Sequence, residues 1–171
     1  QGLAVLGHDN YGHGRTPFRK GHAPSYEALL DSVEGLLAEA RQLYPETPIF
    51  LMGQSLGGNL VGNFLLRRSH TPQLAGGMMF SPFLALAFRP SPIDVFLAKV
   101  MRRLYPAYTQ PSKLDPTGLS HLPEEVEKYR NDPLVHDLIS PVMFLGSLQG
   151  GQYVLDHAHE LSLPLLLMHG D

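Results

Sequence analysis

The chain has 171 residues, enough for one domain with a sizeable core. A formal net charge of −3, 17% charged residues and the lack of any basic run argue against a nucleic-acid partner. The absence of cysteine excludes a disulfide framework and thiolate chemistry and is compatible with a reducing cytoplasm, and no apolar stretch reaches the about 18 residues of a membrane span.

In chain order, Gly2 to Leu6 is predicted as a first strand. A polar loop over 7–24 follows, with four glycines and three histidines. Tyr26, Leu29, Leu30, Val33, Leu36, Leu37, Ala40 and Leu43 recur at helical spacing between an N-cap, Ser25, and a stop, Pro45, so residues 26–44 are predicted as an amphipathic helix. Pro48 to Met52 has the length and flanks of a buried parallel strand. Leu56 to Arg68 reads as a helix, with Leu60, Val61, Phe64 and Leu65 on one side and two arginines at its C-terminal end. Ala75 to Ser81 is predicted as a third strand. Strands alternating with helices imply a parallel sheet covered on both faces.

The rhythm then breaks. Between Phe83 and about Pro141 no strand is predicted. The segment is proline-rich, with a helix over Pro92–Leu104 capped by Ser91 and a shorter one over about Pro123–Arg130, acidic at its start and basic at its end. A helix around Val142–Leu161 and a strand over Leu163–Met168 restore the pattern. An insertion of about 60 residues at this place reads as a lid or cap. The predicted division is therefore core over 1–82, helical cap over 83–141, and core again over 142–171. Strands predicted at both ends of the chain suggest the middle of a larger domain.

The chemistry sits at Gly53-Gln54-Ser55-Leu56-Gly57, which lies between the second strand and its helix. Strand, G-x-S-x-G, helix is the context of a nucleophile elbow, a strained turn that lifts a serine hydroxyl clear of the sheet. Gly53 and Gly57 are predicted where a side chain would collide with the neighbouring backbone. Ser55 is the predicted nucleophile. The Leu56 N–H, at the positive end of a helix, is a predicted oxyanion donor, and one such donor is typically worth about 2.7–4 kcal/mol of barrier. The alternative is a glycine-rich strand-to-helix turn with an incidental serine.

With these motifs the chain resembles the monoacylglycerol lipase and lysophospholipase-like branch of the α/β-hydrolases. Gln54-Ser55-Leu56-Gly57-Gly58 matches that family's nucleophile motif, and Asp9 to Thr16 (DNYGHGRT) matches its D-x-x-G-H-G-x-S loop, with threonine for the usual serine. Asn131 to His136 (NDPLVH) matches a cap-return segment, and Leu165 to Gly170 (LLLMHG) the strand and turn that introduce the catalytic acid. The resemblance implies an α/β-hydrolase fold, a mostly parallel sheet with helices on both faces and a helical cap. It also implies a serine esterase of lipid metabolism that needs no cofactor or metal. In the family the acid follows in the pattern H-G-x-x-D, and Asp171 falls on the first x. The acid and the still later histidine are expected beyond Asp171, and the second oxyanion donor before Gln1.

Other residues were weighed against these. Asp171 would be the acid only in a shorter turn and otherwise has a surface or turn role. His13 could act as base, but nucleophile, acid, histidine is the order normal for this fold, so His13 and Asp9 are expected to tie the loop to its neighbours by hydrogen bonds. His8 and His13 lack a third metal ligand at useful spacing. His157 and His159 are expected on different sides of a helix, and His121 and His136 as polar surface or hinge groups at the cap. The apolar stripe of Pro92–Leu104 has two readings, packing on the domain or lining an acyl-chain tunnel above Ser55. Phe83, Phe96, Leu97 and Val100 are the candidate substrate contacts, and Leu84, Leu86 and Phe88 extend that apolar stretch. Like the family's caps, the segment would make peripheral contact with a membrane surface, where Lys99, Arg102 and Arg103 would meet anionic headgroups.

The function expected is hydrolysis of monoacylglycerols, lysophospholipids or similar single-chain esters. A proline-type serine aminopeptidase on the same elbow is the second reading. It would need an acidic anchor for a substrate amine, and the cap offers Asp94, Asp115, Glu124, Glu125 and Glu127. A catalytically silent binding protein on this fold is the third.

Overall fold

The structure is a computed structural model that describes residues 2–68, 74–86, 90–112 and 114–170. Phe88 and Asp171, weighed above, lie outside the described residues. The elements are α1 (Tyr26–Leu43), β1 (Ile49–Gln54), α2 (Leu56–Arg67), β2 (Leu74–Phe80), α3 (Pro92–Leu104), β3 (Gln110–Pro111), α4 (Pro123–Asn131), β4 (Leu138–Ile139), α5 (Pro141–His157) and β5 (Leu165–Met168). Short 3₁₀ turns occupy Pro116–Gly118 and Ala158–Glu160.

β1, β2 and β5 form a parallel sheet in the order β1-β2-β5, with Leu51 opposite Gly77 and Met79 opposite Leu167. Alternation along the strands gives the sheet two unlike faces. On the face carrying Leu51, Gly77 and Met79, α2 lies directly on the strands. A Cβ added to Gly77 would meet Leu65 of α2, and one added to Gly62 of α2 would meet Met79. Leu29, Leu30, Leu60, Phe64 and Met79 are at most 2% exposed there, and Met143 and Val154 of α5 complete the cluster. On the opposite face, by register, stand Phe50, Met52, Leu166 and Met168, each about half exposed. The α1–α2–α5 layer is on the Leu51 side.

Local chemistry explains the helix bounds. Ser25 is extended (φ −159°) and its hydroxyl accepts the Ala28 N–H at 3.0 Å, starting α1 as predicted. Ser91 and Ser140 cap α3 and α5 in the same way, each ahead of a proline at the first helical position. The two C-terminal arginines of α2 do more than complement its dipole. Arg67 pairs with Glu27, and Arg68 reaches both Glu27 (3.2 Å) and Asp31 (2.7 Å) of α1. With the carboxylates more than half exposed, each such pair is worth about 0.2–1 kcal/mol.

Two sequence expectations require correction. Gly2 to Leu6 is not a strand: it pairs with no described strand, and Leu3 and Val5 stand 89% and 86% exposed. A short apolar run makes a strand only where a neighbour supplies hydrogen-bond partners, and β1 does not pair with this segment. The insertion, conversely, does contain strand. β3 and β4 pair antiparallel through Gln110–Ile139 and Pro111–Leu138, bringing the two ends of the α4 segment together. Two residues are too few to leave a periodic signal.

Candidate active site

Ser55 joins β1 to α2 with φ 51° and ψ −116°, a backbone region that costs about 1–3 kcal/mol and persists only where its surroundings enforce it. Three backbone hydrogen bonds do so. The Ser55 N–H donates to the Phe80 carbonyl (3.0 Å), and the Ser55 carbonyl accepts from the Asn59 N–H (3.0 Å) and the Phe83 N–H (2.9 Å). The serine makes no side-chain cap to α2, so its hydroxyl is not consumed by the helix, and the residue is exposed. Leu56 opens the helix, and its N–H is one of the first-turn amides that an α-helix cannot satisfy internally.

Glycine is needed at two places in the turn, and one of them differs from expectation. A Cβ on Gly53 would run into the backbone carbonyl of Gly57, and one on Gly58 would stand 2.8 Å from the Pro82 Cβ. A Cβ on Gly57 itself would meet nothing within 4 Å. The tight approach is of β1 to the backbone of Gly57, and the Cβ direction at Gly57 is open.

The structure brings Ser55, Leu56 and Phe83 together. Phe83 is half-buried and bonded through its backbone to the elbow. The other candidates stand on α3, which packs along α5. Phe96 and Leu97 are 63% and 51% exposed, Val100 is half-buried, and no side chain of α3 is buried. Leu84 packs on the core and Leu86 is half-buried.

The loop over 7–24 is held as the D-x-x-G-H-G motif requires. The Asp9 carboxylate accepts the Arg15 N–H (2.9 Å), and a side chain on Gly14 would strike that carboxylate. Thr16 keeps the hydroxyl of the usual serine, set 2.8 Å from the His13 carbonyl and 3.2 Å from that of Asn10. His13 donates from Nδ1 to the Tyr11 carbonyl (3.0 Å), so the hydrogen bonds of His13 and Asp9 close the loop on itself and do not tie it to neighbouring elements as expected.

His136, expected as a surface or hinge group, is a half-buried latch. Its Nε2 donates to the Gly12 carbonyl (2.7 Å), its Nδ1 accepts the Leu138 N–H (3.1 Å), and its ring stacks on His13 at 5.1 Å. Beside it the Ser140 N–H donates to the Gly21 carbonyl (2.8 Å), and His22 shares a hydrogen bond with the Ser140 hydroxyl (3.2 Å). The cap-return segment is thereby pinned to the 7–24 loop. His121 is exposed, His8 lies by Asn10 and Ser32, His157 stacks on Tyr153, and His159 lies by Glu160.

Burial holds the His13 imidazole below its ordinary pKa of 6.5, against the hydrogen bond to the Tyr11 carbonyl, with His136 adding to the lowering and Asp9 opposing it more weakly. Burial, then Arg19, lowers His22 as well. Between the folded value and 6.5 the unfolded chain binds more protons, so this stability is full above about pH 6.5 and is lost as pH falls below it. Denaturant midpoints of the intact protein should fall between pH 7.5 and 5.5, and His13→Asn, which keeps a donor for the Tyr11 carbonyl, should shrink that fall. An unchanged pH dependence in the variant would remove His13 from the effect.

A parallel sheet with a helix layer packed on it, a strained and exposed serine at the turn from β1 into α2, and further helices between β2 and β5 is the arrangement of an α/β-hydrolase. The chain belongs to the hydrolase family described as serine aminopeptidase, S33, whose profile matches residues 1–171. It is similar to the monoacylglycerol lipase of Mycolicibacterium smegmatis (30% identity over 99% of this chain and 60% of that protein) and to the mouse monoglyceride lipase (29%, over 98% and 55%). The crystal structure of Paleococcus ferrophilus monoacylglycerol lipase superposes with a TM-score of 0.82 at 32% identity, over 94% of this chain and 59% of that one. The chain thus spans little more than half the length of these relatives.

Proposed function

We propose that the intact protein is a serine ester hydrolase acting on monoacylglycerols, lysophospholipids or similar single-chain carboxylic esters. The observation that carries the reading is Ser55, strained and exposed at the start of α2 with its hydroxyl uncommitted to a cap. The lipase names of the relatives support the ester class. In this reading the Ser55 hydroxyl attacks the ester carbonyl while a histidine from elsewhere in the intact protein takes its proton. The Leu56 N–H donates to the oxyanion, the alcohol leaves with the proton, and water releases the fatty acid from Ser55.

Residues 83–141 act as the cap on the core formed by 1–82 and 142–171. Phe83, Phe96, Leu97 and Val100 receive the acyl chain, and the exposed stripe of α3 meets the lipid surface that presents it. Among the described residues no helix is long and apolar enough to cross a membrane.

The family's description keeps peptide chemistry in view. The cap acids give it little support, since three of the five are engaged locally: Asp115 accepts the Thr117 N–H, Glu125 pairs with Lys128, and Glu127 accepts from Asn131. The test uses the intact protein with 2-monoacylglycerols of increasing chain length beside proline-terminated peptides. Each methylene buried is worth about 0.8 kcal/mol, so kcat/KM should climb by up to about 15-fold per two carbons until the site is full. Phe96→Asp or Leu97→Asp should flatten the climb and spare acetate esters. Release of N-terminal residues without fatty acid would reverse the assignment, and equal loss on short and long esters would make α3 a folding element.

A further inference from the structure

Two asparagines, Asn59 and Asn63, stand on the face of α2 that otherwise builds the core, and both are fully buried. Every hydrogen-bonding position of the Asn59 amide is used. Its Nδ2 donates to the Phe83 carbonyl (2.6 Å) and to the Ser147 carbonyl of α5 (3.0 Å), and its Oδ1 accepts from the Tyr26 hydroxyl of α1. Asn63 Nδ2 donates to the Gly150 carbonyl one turn along α5 (2.9 Å) and to the Asn59 carbonyl (3.0 Å). The Tyr26 hydroxyl reaches Asn59 because Gly150 has no side chain, since a Cβ there would meet that hydroxyl.

The destination of the Nδ2 bond is what matters. Phe83 is held by both ends of its backbone: its N–H goes to the carbonyl of Ser55, and its carbonyl takes the Asn59 amide. Asn59 also donates its own N–H to that Ser55 carbonyl. On the far side, Leu84 lies so close to α5 that a side chain on Gly151 would strike its carbonyl. The segment leaving β2 is thus clamped between the elbow and α5, with Asn59 as the side chain that joins them.

We propose that Asn59, its rotamer fixed by Tyr26, is a positioning residue that sets the Ser55 peptide and the Phe83 backbone for catalysis. The proposal rests on the ester-hydrolase reading of Ser55. An aliphatic residue would fill the same volume and pack the helices, but it would leave the Phe83 carbonyl unheld beside the nucleophile. A misplacement of about 1 Å at such a site can cost on the order of 10²-fold in rate.

The test compares wild type, Asn59→Ala and Tyr26→Phe in the intact protein. The readouts are kcat and KM on one monoacylglycerol, the rate of Ser55 labelling by a fluorophosphonate, and the melting temperature, with kcat counted per labelled site. Asn59→Ala should lower kcat and the labelling rate together by about 10- to 100-fold with KM within about threefold, and Tyr26→Phe should lower kcat by a few-fold. Wild-type kcat and labelling rate in Asn59→Ala, with only a lower melting temperature, would reduce Asn59 to a packing role and overturn the proposal. If Asn59→Ala does not fold, Tyr26→Phe decides: unchanged kcat per site overturns it and a few-fold loss supports it. A wild type that neither labels at Ser55 nor turns over ester would overturn the hydrolase reading first, and this one with it.

Discussion

Ser55→Ala in the intact protein should abolish ester turnover and fluorophosphonate labelling while leaving the fold in place. The loss expected is on the order of 10⁶ in kcat, because without the hydroxyl no covalent step is available and only binding and oxyanion stabilisation remain. The fold should survive because Ser55 makes no side-chain cap to α2, so alanine forfeits no helix-end hydrogen bond. Its backbone bonds to Phe80, Asn59 and Phe83 are also indifferent to the side chain. Melting temperature should therefore change little, and Ser55→Gly should raise it, since glycine adopts φ 51° without the strain a Cβ imposes. Substantial turnover in Ser55→Ala would assign the nucleophile to another residue. A collapse of the melting temperature would instead show that the hydroxyl supports the elbow.

What the sequence revealed, and what it did not, divides by the range of the interaction. α1 and α3 were legible because their caps are local: Ser25 and Ser91 each bond an amide two or three residues on. The elbow was legible because strand, turn and helix are contiguous. Gly2 to Leu6 differs from expectation because an apolar run is a local feature and a pairing partner is not. The β3–β4 pair joins residues that are far apart in sequence, Gln110 with Ile139 and Pro111 with Leu138, and left no periodicity to find. Asn59 was missed for a related reason: its partners, Tyr26, Phe83 and Ser147, lie 24 to 88 residues away. A signal was nonetheless present, since two asparagines four apart inside an apolar helical stripe must be bonded if buried. The His136 latch was hidden likewise, its partner Gly12 being 124 residues distant.

The glycines of the elbow should separate sharply although their motif treats them alike. Gly53→Ala sets a Cβ against the Gly57 carbonyl, and the obstacle is backbone of the first turn of α2, which cannot rotate away as a side chain could. Relief requires β1 and α2 to part, against the packing of Leu51 and Leu60 on that side of the sheet. Overpacking of this kind typically costs about 1–3 kcal/mol. The displacement falls on the residue between the two elements, so Ser55 labelling should slow by on the order of 10²-fold as well. Gly57→Ala puts its Cβ into open space in a helical turn, where alanine is favoured over glycine by up to about 1 kcal/mol. Its melting temperature should stay level or rise, and any loss of activity should appear in KM for bulky esters, because the new methyl group faces solvent near Ser55. Gly58→Ala, opposed by the Pro82 Cβ at 2.8 Å, should fall between the two, since the proline lies in a connecting segment that can yield a few tenths of an ångström. Thermal melts and labelling rates of the three variants decide it: equal damage at Gly53 and Gly57 would mean that the turn in solution is tighter than this geometry, with the Gly57 Cβ position occupied.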